Sequence, residues 1–166
     1  MVMRWKPFRK NYQDCAILRH SCCGTCVVIY VSITSCGILT NLYVRNNKIK
    51  ALPEGVPGAE MVELTLLHLS SNRLESLPSS FLQCTSLEYL YLNSNHLTAV
   101  PSGLADALIL LKRLTLSHNR LTALPPDFIE RFGEPKDDKC HLDPTCIVTL
   151  ACNPLLNDQP DEMNVV

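Results

Sequence analysis

Leucines recur at a fixed spacing along the middle of the chain, and the clearest copy of this pattern lies between residues 87 and 101. Leucines occupy positions 87, 90, 92 and 97, Asn95 comes three residues after Leu92, and Val100-Pro101 closes the unit. The alternation of Leu90 and Leu92 with other side chains is the period of a short strand that buries one face. The pattern therefore predicts a short β-strand that ends in a turn at Asn95.

The same pattern occurs four times in one register, with a weaker fifth copy after an interruption. The first four asparagines are separated by 25, 23 and 24 residues (72−47, 95−72 and 119−95), and the fifth follows after 34 residues (153−119). These asparagines are Asn47, Asn72, Asn95, Asn119 and Asn153. One such unit cannot bury its apolar face alone, whereas stacked neighbours can. The chain is therefore predicted to form a solenoid.

The motif L-x-x-L-x-L-x-x-N-x-L, matched four times, resembles that of the leucine-rich repeat family. The leucine-proline step that closes the repeats, as at Leu77-Pro78 and Leu124-Pro125, is most similar to the intracellular Ras-suppressor and scribble-type members. The resemblance covers about residues 37 to 156. It implies an α/β fold, a right-handed solenoid with a parallel β-sheet on the concave face and a mostly irregular or short-helical convex side.

Three regions follow from this pattern. Residues 1–36 form a basic leader with a cysteine-rich apolar segment, residues 37–156 hold about five repeats, and residues 157–166 form a C-terminal tail. A charged insertion with two prolines, residues 131–144, separates the fourth and fifth repeats. It is either a binding loop, since insertions in solenoids project from one face, or a tolerated surface insertion. The acidic end without a recognisable cap also fits a fragment of a longer protein.

The repeated asparagines are expected to be structural. A carboxamide carries both a donor and an acceptor, so stacked asparagines can satisfy buried backbone groups of their own and adjacent turns. The prolines that follow the closing leucine have a fixed φ and prevent a long helix on the convex side. Residues three positions after them, such as Phe81, Leu104 and Phe128, are predicted to pack inward.

The resemblance implies that the strand residues between the leucines face the concave side. Aromatic residues and arginine are enriched in protein interfaces, and several stand at these positions. The predicted partner-binding residues are Tyr43, Arg45, Leu66, His68, Tyr89, Tyr91, Asn93 and Arg113. The alternative is that these side chains only cover a parallel sheet.

A second row follows the asparagines and is basic or nearly so: Lys48, Arg73, His96 and Arg120, with Pro154 in the fifth repeat. Such a row can bind a phosphate or an acidic partner. It can equally keep the edge of the turns soluble.

Residues 22–40 contain no charge and are long enough to cross a hydrocarbon core. A signal-anchor helix there, with the basic leader left in the cytoplasm, would make the protein a single-pass, membrane-anchored recognition protein. Serines, threonines and glycines dilute the stretch, and Leu39 is needed by the first repeat. The alternation of apolar residues from Val27 to Ile33 favours a strand that caps the open end of the solenoid. A segment that does not fold is the third possibility.

Charge and cysteine content bear on the compartment. The net charge is −1, which gives no general affinity for nucleic acid. Nine cysteines, an odd number, and no N-x-S/T site favour a reducing compartment over secretion. We therefore expect a cytoplasmic monomer that binds a protein partner.

Cysteine chemistry is a further alternative. Cys23 and Cys26 form a C-x-x-C pair, but β-branched residues follow it where a redox motif needs a helix. Two sets could supply zinc ligands, although neither has a common zinc spacing. They are Cys15, Cys22, Cys23, Cys26 and Cys36 with His20, and Cys140, His141, Cys146 and Cys152.

No catalytic motif occurs in the sequence. It contains no P-loop, dinucleotide fingerprint, nucleophile elbow or H-E-x-x-H. The sequence therefore favours a non-catalytic interaction module without a cofactor, acting as an intracellular adaptor or signalling regulator.

Overall fold

The repeats form one β-sheet in the computed structural model, which describes residues 39–135 and 143–156 together with the backbone of 16–17 and 139–140. The spatial order is β1-β2-β3-β4-β5-β7-β6, and all neighbours are parallel except β6 and β7. The strands are β1 Ala16–Ile17, β2 Asn41–Tyr43, β3 Leu66–His68, β4 Tyr89–Tyr91, β5 Arg113–Thr115, β6 Lys139–Cys140 and β7 Ile147–Thr149.

Each repeat strand buries its middle residue and leaves its two ends facing outward. These middle residues are Leu42, Leu67, Leu90, Leu114 and Val148. They are directly opposite one another in the register, so they form one continuous apolar layer. The alternation in the sequence therefore becomes a sheet with one face on the core and one face toward solvent.

Short helical segments cover the other side of the core. They are 3₁₀ turns at Ser79–Gln83 and Pro154–Leu156, α1 at Leu104–Ala107 and α2 at Pro126–Phe132. The predicted inward packing is confirmed, since Phe81, Leu104 and Phe128 are almost completely buried. Pro78 and Pro125 are extended and immediately precede a helical segment, so each of these two prolines begins the convex side of its repeat. The predicted α/β solenoid class is confirmed.

The sheet extends beyond the first recognised repeat. β1 pairs with β2 in parallel, Ala16 opposite Leu42, and the offset of 26 residues (42−16) is close to one repeat. The strand beside β2 therefore comes from residues 16–17. The predicted capping segment from Val27 to Ile33 lies outside the described residues, as does most of the candidate membrane segment 22–40. In the part of the chain that the structure describes, no helix is both long and apolar enough for a membrane span.

The segment predicted as an insertion begins in a helix and contributes a strand. α2 continues through Phe132, and β6 pairs antiparallel with β7 at the edge of the sheet. The guanidinium of Arg131 donates to the carbonyl oxygens of Ala105, Leu108 and Ile109 and forms an ion pair with Asp143 at 3.5 Å. These carbonyls lie within and just after α1, so Arg131 links α1 to α2 and, through Asp143, to the segment that precedes the fifth repeat.

Candidate partner-binding face

The outward-facing strand positions form columns that run across the sheet. The first positions of the strands make one column: Asn41, Leu66, Tyr89, Arg113 and Ile147. The last positions make a second: Tyr43, His68, Tyr91, Thr115 and Thr149. The leucine spacing predicts the same two columns, because a fixed motif in a parallel sheet places equivalent residues opposite one another.

In the second column the ring of His68 contacts a tyrosine ring on each side, and we call Tyr43, His68 and Tyr91 the aromatic column. The ring centroids of His68 and Tyr91 are 4.8 Å apart with the planes inclined by 28°. Those of Tyr43 and His68 are 6.1 Å apart and inclined by 41°. All three side chains are half-buried. The rings therefore support one another and still offer part of their surface to a ligand.

His68, at the centre of the aromatic column, favours its neutral form. Burial of the ring, followed by the positive charge of Arg45, lowers the pKa of His68 below its ordinary value of 6.5. The Nδ1 atom is buried and has no hydrogen-bond partner among the described residues. At neutral pH the centre of the column is therefore an uncharged ring.

Asn93 is held by its neighbours on both sides. Its side-chain oxygen accepts hydrogen bonds from the hydroxyl of Ser70 at 2.5 Å and from the hydroxyl of Thr115 at 3.1 Å. Ser70 is buried and belongs to the preceding repeat, whereas Thr115 belongs to the following one. The two bonds fix the carboxamide across three repeats. The predicted site includes Asn93 but neither Ser70 nor Thr115, although Thr115 stands in the second column and Ser70 is the equivalent of Asn93 in the preceding repeat.

The remaining predicted residues lie around the aromatic column. Leu66 and Tyr89 are half-buried in the first column, and Arg113 beside Tyr89 is exposed. Arg45 is exposed two residues after Tyr43. Ile147 continues the first column and is 48% exposed. The predicted site does not include Ile147, although an isoleucine at a column position is a usable signal.

The repeated asparagines lie in the turns that follow the repeat strands. Asn72, Asn95, Asn119 and Asn153 are buried. Each accepts a hydrogen bond from a backbone N–H one repeat earlier, at 3.0 to 3.2 Å. Asn47 is half-buried and donates to the carbonyl oxygens of Val44 and Arg45. The ladder formed by these five asparagines keeps the strands in register and so holds the columns in line.

The residue before each asparagine has a left-handed backbone, which the repeat motif does not predict. The φ values lie between 56° and 58° at Asn46, Ser71, Ser94, His118 and Cys152. Non-glycine residues rarely adopt this conformation, and asparagine does so most readily. The small polar residues at most of these positions were the available signal.

The described cysteines are free thiols in different surroundings. Cys84 and Cys146 are buried, and burial raises the pKa of each thiol to about 11. Cys152 is exposed. Within the described ranges, no three histidine, cysteine or acidic side chains lie close enough to hold a metal ion. The N-terminal cysteines with His20, and the side chains of Cys140 and His141, lie outside what the structure describes.

Comparison with known proteins agrees with this architecture. The sequence model of the family described as leucine rich repeat matches residues 38–97 and 85–132, more than half of the chain together. No curated protein matches the chain. A solved leucine-rich repeat protein from Leptospira interrogans is 31% identical, with a TM-score of 0.55 over 71% of this chain. The match spans 27% of that protein's chain.

Proposed function

Because this chain belongs to the leucine-rich repeat family, we propose that it is a non-catalytic module that binds a protein partner on the concave face of its solenoid. Domains of this family generally mediate protein–protein interaction. The proposal rests above all on the aromatic column, because its neighbouring rings are only partly buried on the face opposite the core.

The composition of the face supports binding. Core packing gives no reason for tyrosines at outward-facing positions, since the leucines between them already fill the interior. Tyrosine and arginine are enriched at the energetic centres of interfaces. Tyr89, Tyr91 and Arg113 lie in adjacent positions of β4 and β5, so a partner could cover all three at once.

The rigidity of the face also supports binding. The ladder and the two hydrogen bonds to the Asn93 side chain fix the positions of the columns. A surface that is ordered before binding loses less conformational entropy on binding. A partner would therefore meet a face that needs little rearrangement.

We further propose where the protein acts. The leucine-proline steps support a role like that of the Ras-suppressor and scribble-type proteins, as a monomeric adaptor or signalling regulator in the cytoplasm. The alternative is a membrane-anchored recognition protein with residues 22–40 as its anchor. Carbonate extraction of a tagged full-length chain separates the two, because an anchored protein stays in the membrane pellet.

The test replaces the two tyrosines of β4. Full-length protein with Tyr89→Ala and Tyr91→Ala is used as bait beside the unchanged chain, and recovered partners are quantified. We expect recovery to fall about tenfold or more, with little change in thermal stability. The matched control is Val62→Ala with Leu110→Ala, which removes two exposed apolar side chains outside the columns. Equal recovery by the tyrosine variant and the unchanged chain would reject this face as the binding site.

A further inference from the structure

The residues that follow the ladder asparagines form a second regular array. We call Lys48, Arg73, His96 and Arg120 the basic row. Lys48, Arg73 and Arg120 are exposed, and His96 is half-buried. Each has a buried apolar residue directly after it, such as Ile49 or Leu121, so the row alternates with the core and faces outward.

The backbone holds the basic row at constant spacing. The N–H groups of Arg73, His96 and Arg120 each donate to a carbonyl oxygen of the preceding repeat, at 2.8 to 2.9 Å. The N–H of the next residue is bound by a ladder asparagine, as at Leu74 and Leu97. Neighbouring strands lie about 4.8 Å apart, so Lys48 and Arg120 are separated by roughly 14 Å along the row.

The edge of the sheet that carries the basic row is strongly positive. From the end of each strand through its turn, the charged residues are five bases and one acid: Arg45, Lys48, Lys50, Arg73 and Arg120 against Glu75. Within the described residues the ion pairs are Lys112 with Glu88 and Arg131 with Asp143, and neither involves this edge. These charges are therefore free of ionic partners in the described part of the molecule.

The opposite edge of the same sheet has the opposite sign. Glu60, Glu63 and Glu88 lie before β3 and β4, and Lys112, before β5, offsets one of them. The aromatic column lies between the two edges. A partner that lies across the strands therefore meets a field that attracts negative groups toward one edge and repels them from the other.

We propose that the partner contributes an acidic protein segment that lies across the strands, with its carboxylates against the basic row and its apolar side on the aromatic column. This inference rests on the proposed function. A helical segment fits the spacing best, because residues three or four apart on a helix are about 5–6 Å apart. Alternate residues of an extended segment are about 6.6 Å apart, which departs further from the spacing of the row.

Nucleic acid fits this face less well. A single strand continues its charge in both directions, whereas the positive edge holds three exposed cations in its row and ends at Pro154 in the fifth repeat. The acidic edge across the sheet would repel a strand that turned over the face. A short acidic segment can pair with the cations of the basic row without approaching the carboxylates of the acidic edge.

The test selects ligands from a phage library of random peptides of about 16 residues, enough for four helical turns, against the full-length chain. We expect aspartate and glutamate to be enriched at three- and four-residue spacing, together with apolar residues. The same selection is run on a neutralised chain with Lys48→Gln, Arg73→Gln and Arg120→Gln. The selected acidic peptides should bind that chain about tenfold more weakly, and salt should weaken their binding to the native chain.

Two matched control variants distinguish the effect of the basic row from the effect of the protein's net charge. Lys48→Arg, Arg73→Lys and Arg120→Lys keep the positive charges, and this variant should select the same peptides. Ser76→Glu, Ser102→Glu and Ala123→Glu change the net charge by the same amount as the neutralised chain, at exposed positions outside the row. This variant should also retain acidic binding.

The remaining outcomes overturn the inference in distinguishable ways. If the selected acidic peptides bind the neutralised chain as well as the native chain, the basic row would be excluded as their binding site. Selected peptides without acidic enrichment, lost on changing Tyr89 and Tyr91 to Ala, would reject the acidic partner and leave the proposed function standing. If no peptide is selected at all, the result would count against both the acidic partner and the proposed function. The last outcome is that no peptide is selected and that the native chain, but not the neutralised chain, binds an oligothymidylate. This result would assign the basic row to nucleic acid instead.

Discussion

The side-chain oxygen of Asn119 accepts a hydrogen bond from the backbone N–H of Leu97, 3.0 Å away and one repeat earlier. The amide nitrogen of the same side chain donates to the carbonyl oxygens of Leu92 and Leu116, at 3.0 and 2.8 Å. One buried side chain therefore satisfies backbone groups on two neighbouring turns that water does not reach.

Removing this side chain should destabilise the solenoid more than any surface change. Asn119→Ala leaves a buried N–H and two carbonyl groups without that partner, and a buried unsatisfied group costs about 1–3 kcal/mol. We expect the free energy of unfolding in urea to fall by about 3 kcal/mol. Asn47→Ala, at a half-buried position, should cost less. Equal losses at both positions would contradict a ladder whose strength depends on burial.

Ser94 should respond to substitution according to its backbone. Its φ is 58°, where a β-branched side chain is strained by roughly 1–2 kcal/mol. Ser94→Val should therefore lower the melting temperature, whereas Ser94→Asn should leave it nearly unchanged. Asn46 already occupies the equivalent position of the first repeat. A valine variant as stable as the asparagine variant would show that this turn tolerates another conformation.

The stability of the solenoid should depend on pH through His68. Because burial and Arg45 lower the pKa of His68 in the folded chain, the unfolded chain binds the proton more tightly. The free energy of unfolding should therefore fall as the pH drops below about 6.5, and this contribution should level off below the folded-state pKa. Urea unfolding at pH 7.5 and 5.5 measures it.

His68→Gln is the control for this pH dependence. It removes the titrating ring and leaves His96 and His118 in place. The loss of stability between the two pH values should be smaller in the variant than in the unchanged chain. Identical losses would mean that protonation of His68 does not act on folding.

The cysteines should differ sharply in reactivity. The pKa of Cys84 and Cys146 is raised to about 11 by burial, so their thiols remain protonated and enclosed at pH 8. Cys152 is exposed. Mass mapping after brief treatment with iodoacetamide should find Cys152 modified and the two buried thiols unmodified until urea is added. Rapid modification of Cys84 in the native chain would indicate that the core near it opens.

The two columns could be predicted from the sequence because two regularities lead to the same alignment of residues. The period of a strand determines which residues face outward, and the repeated motif determines which residues lie opposite one another. Tyr43, His68 and Tyr91 were therefore aligned correctly. Their ring distances and inclinations were beyond prediction, because they depend on side-chain rotamers and on the exposure of each ring.

Other features depend on contacts that no single repeat contains. The hydrogen bonds of Arg131 join α2 to α1, its ion pair joins α2 to Asp143, and no spacing in the sequence indicates either pairing. β6 was missed because its two residues lie between the fourth and fifth repeats, outside the repeated motif. The left-handed residues were missed because turn geometry is shared between a residue and its neighbours, and here glycine, its usual signature, is absent.

The antiparallel β6 determines where this protein could be lengthened. β6 occupies the outer side of β7, where the strand of a sixth parallel repeat would have to pair. Consensus repeats spliced in between β3 and β4 would continue the existing parallel pairing, whereas repeats grafted after Asn153 would first have to displace β6. An engineered array built on this scaffold should therefore grow from its middle.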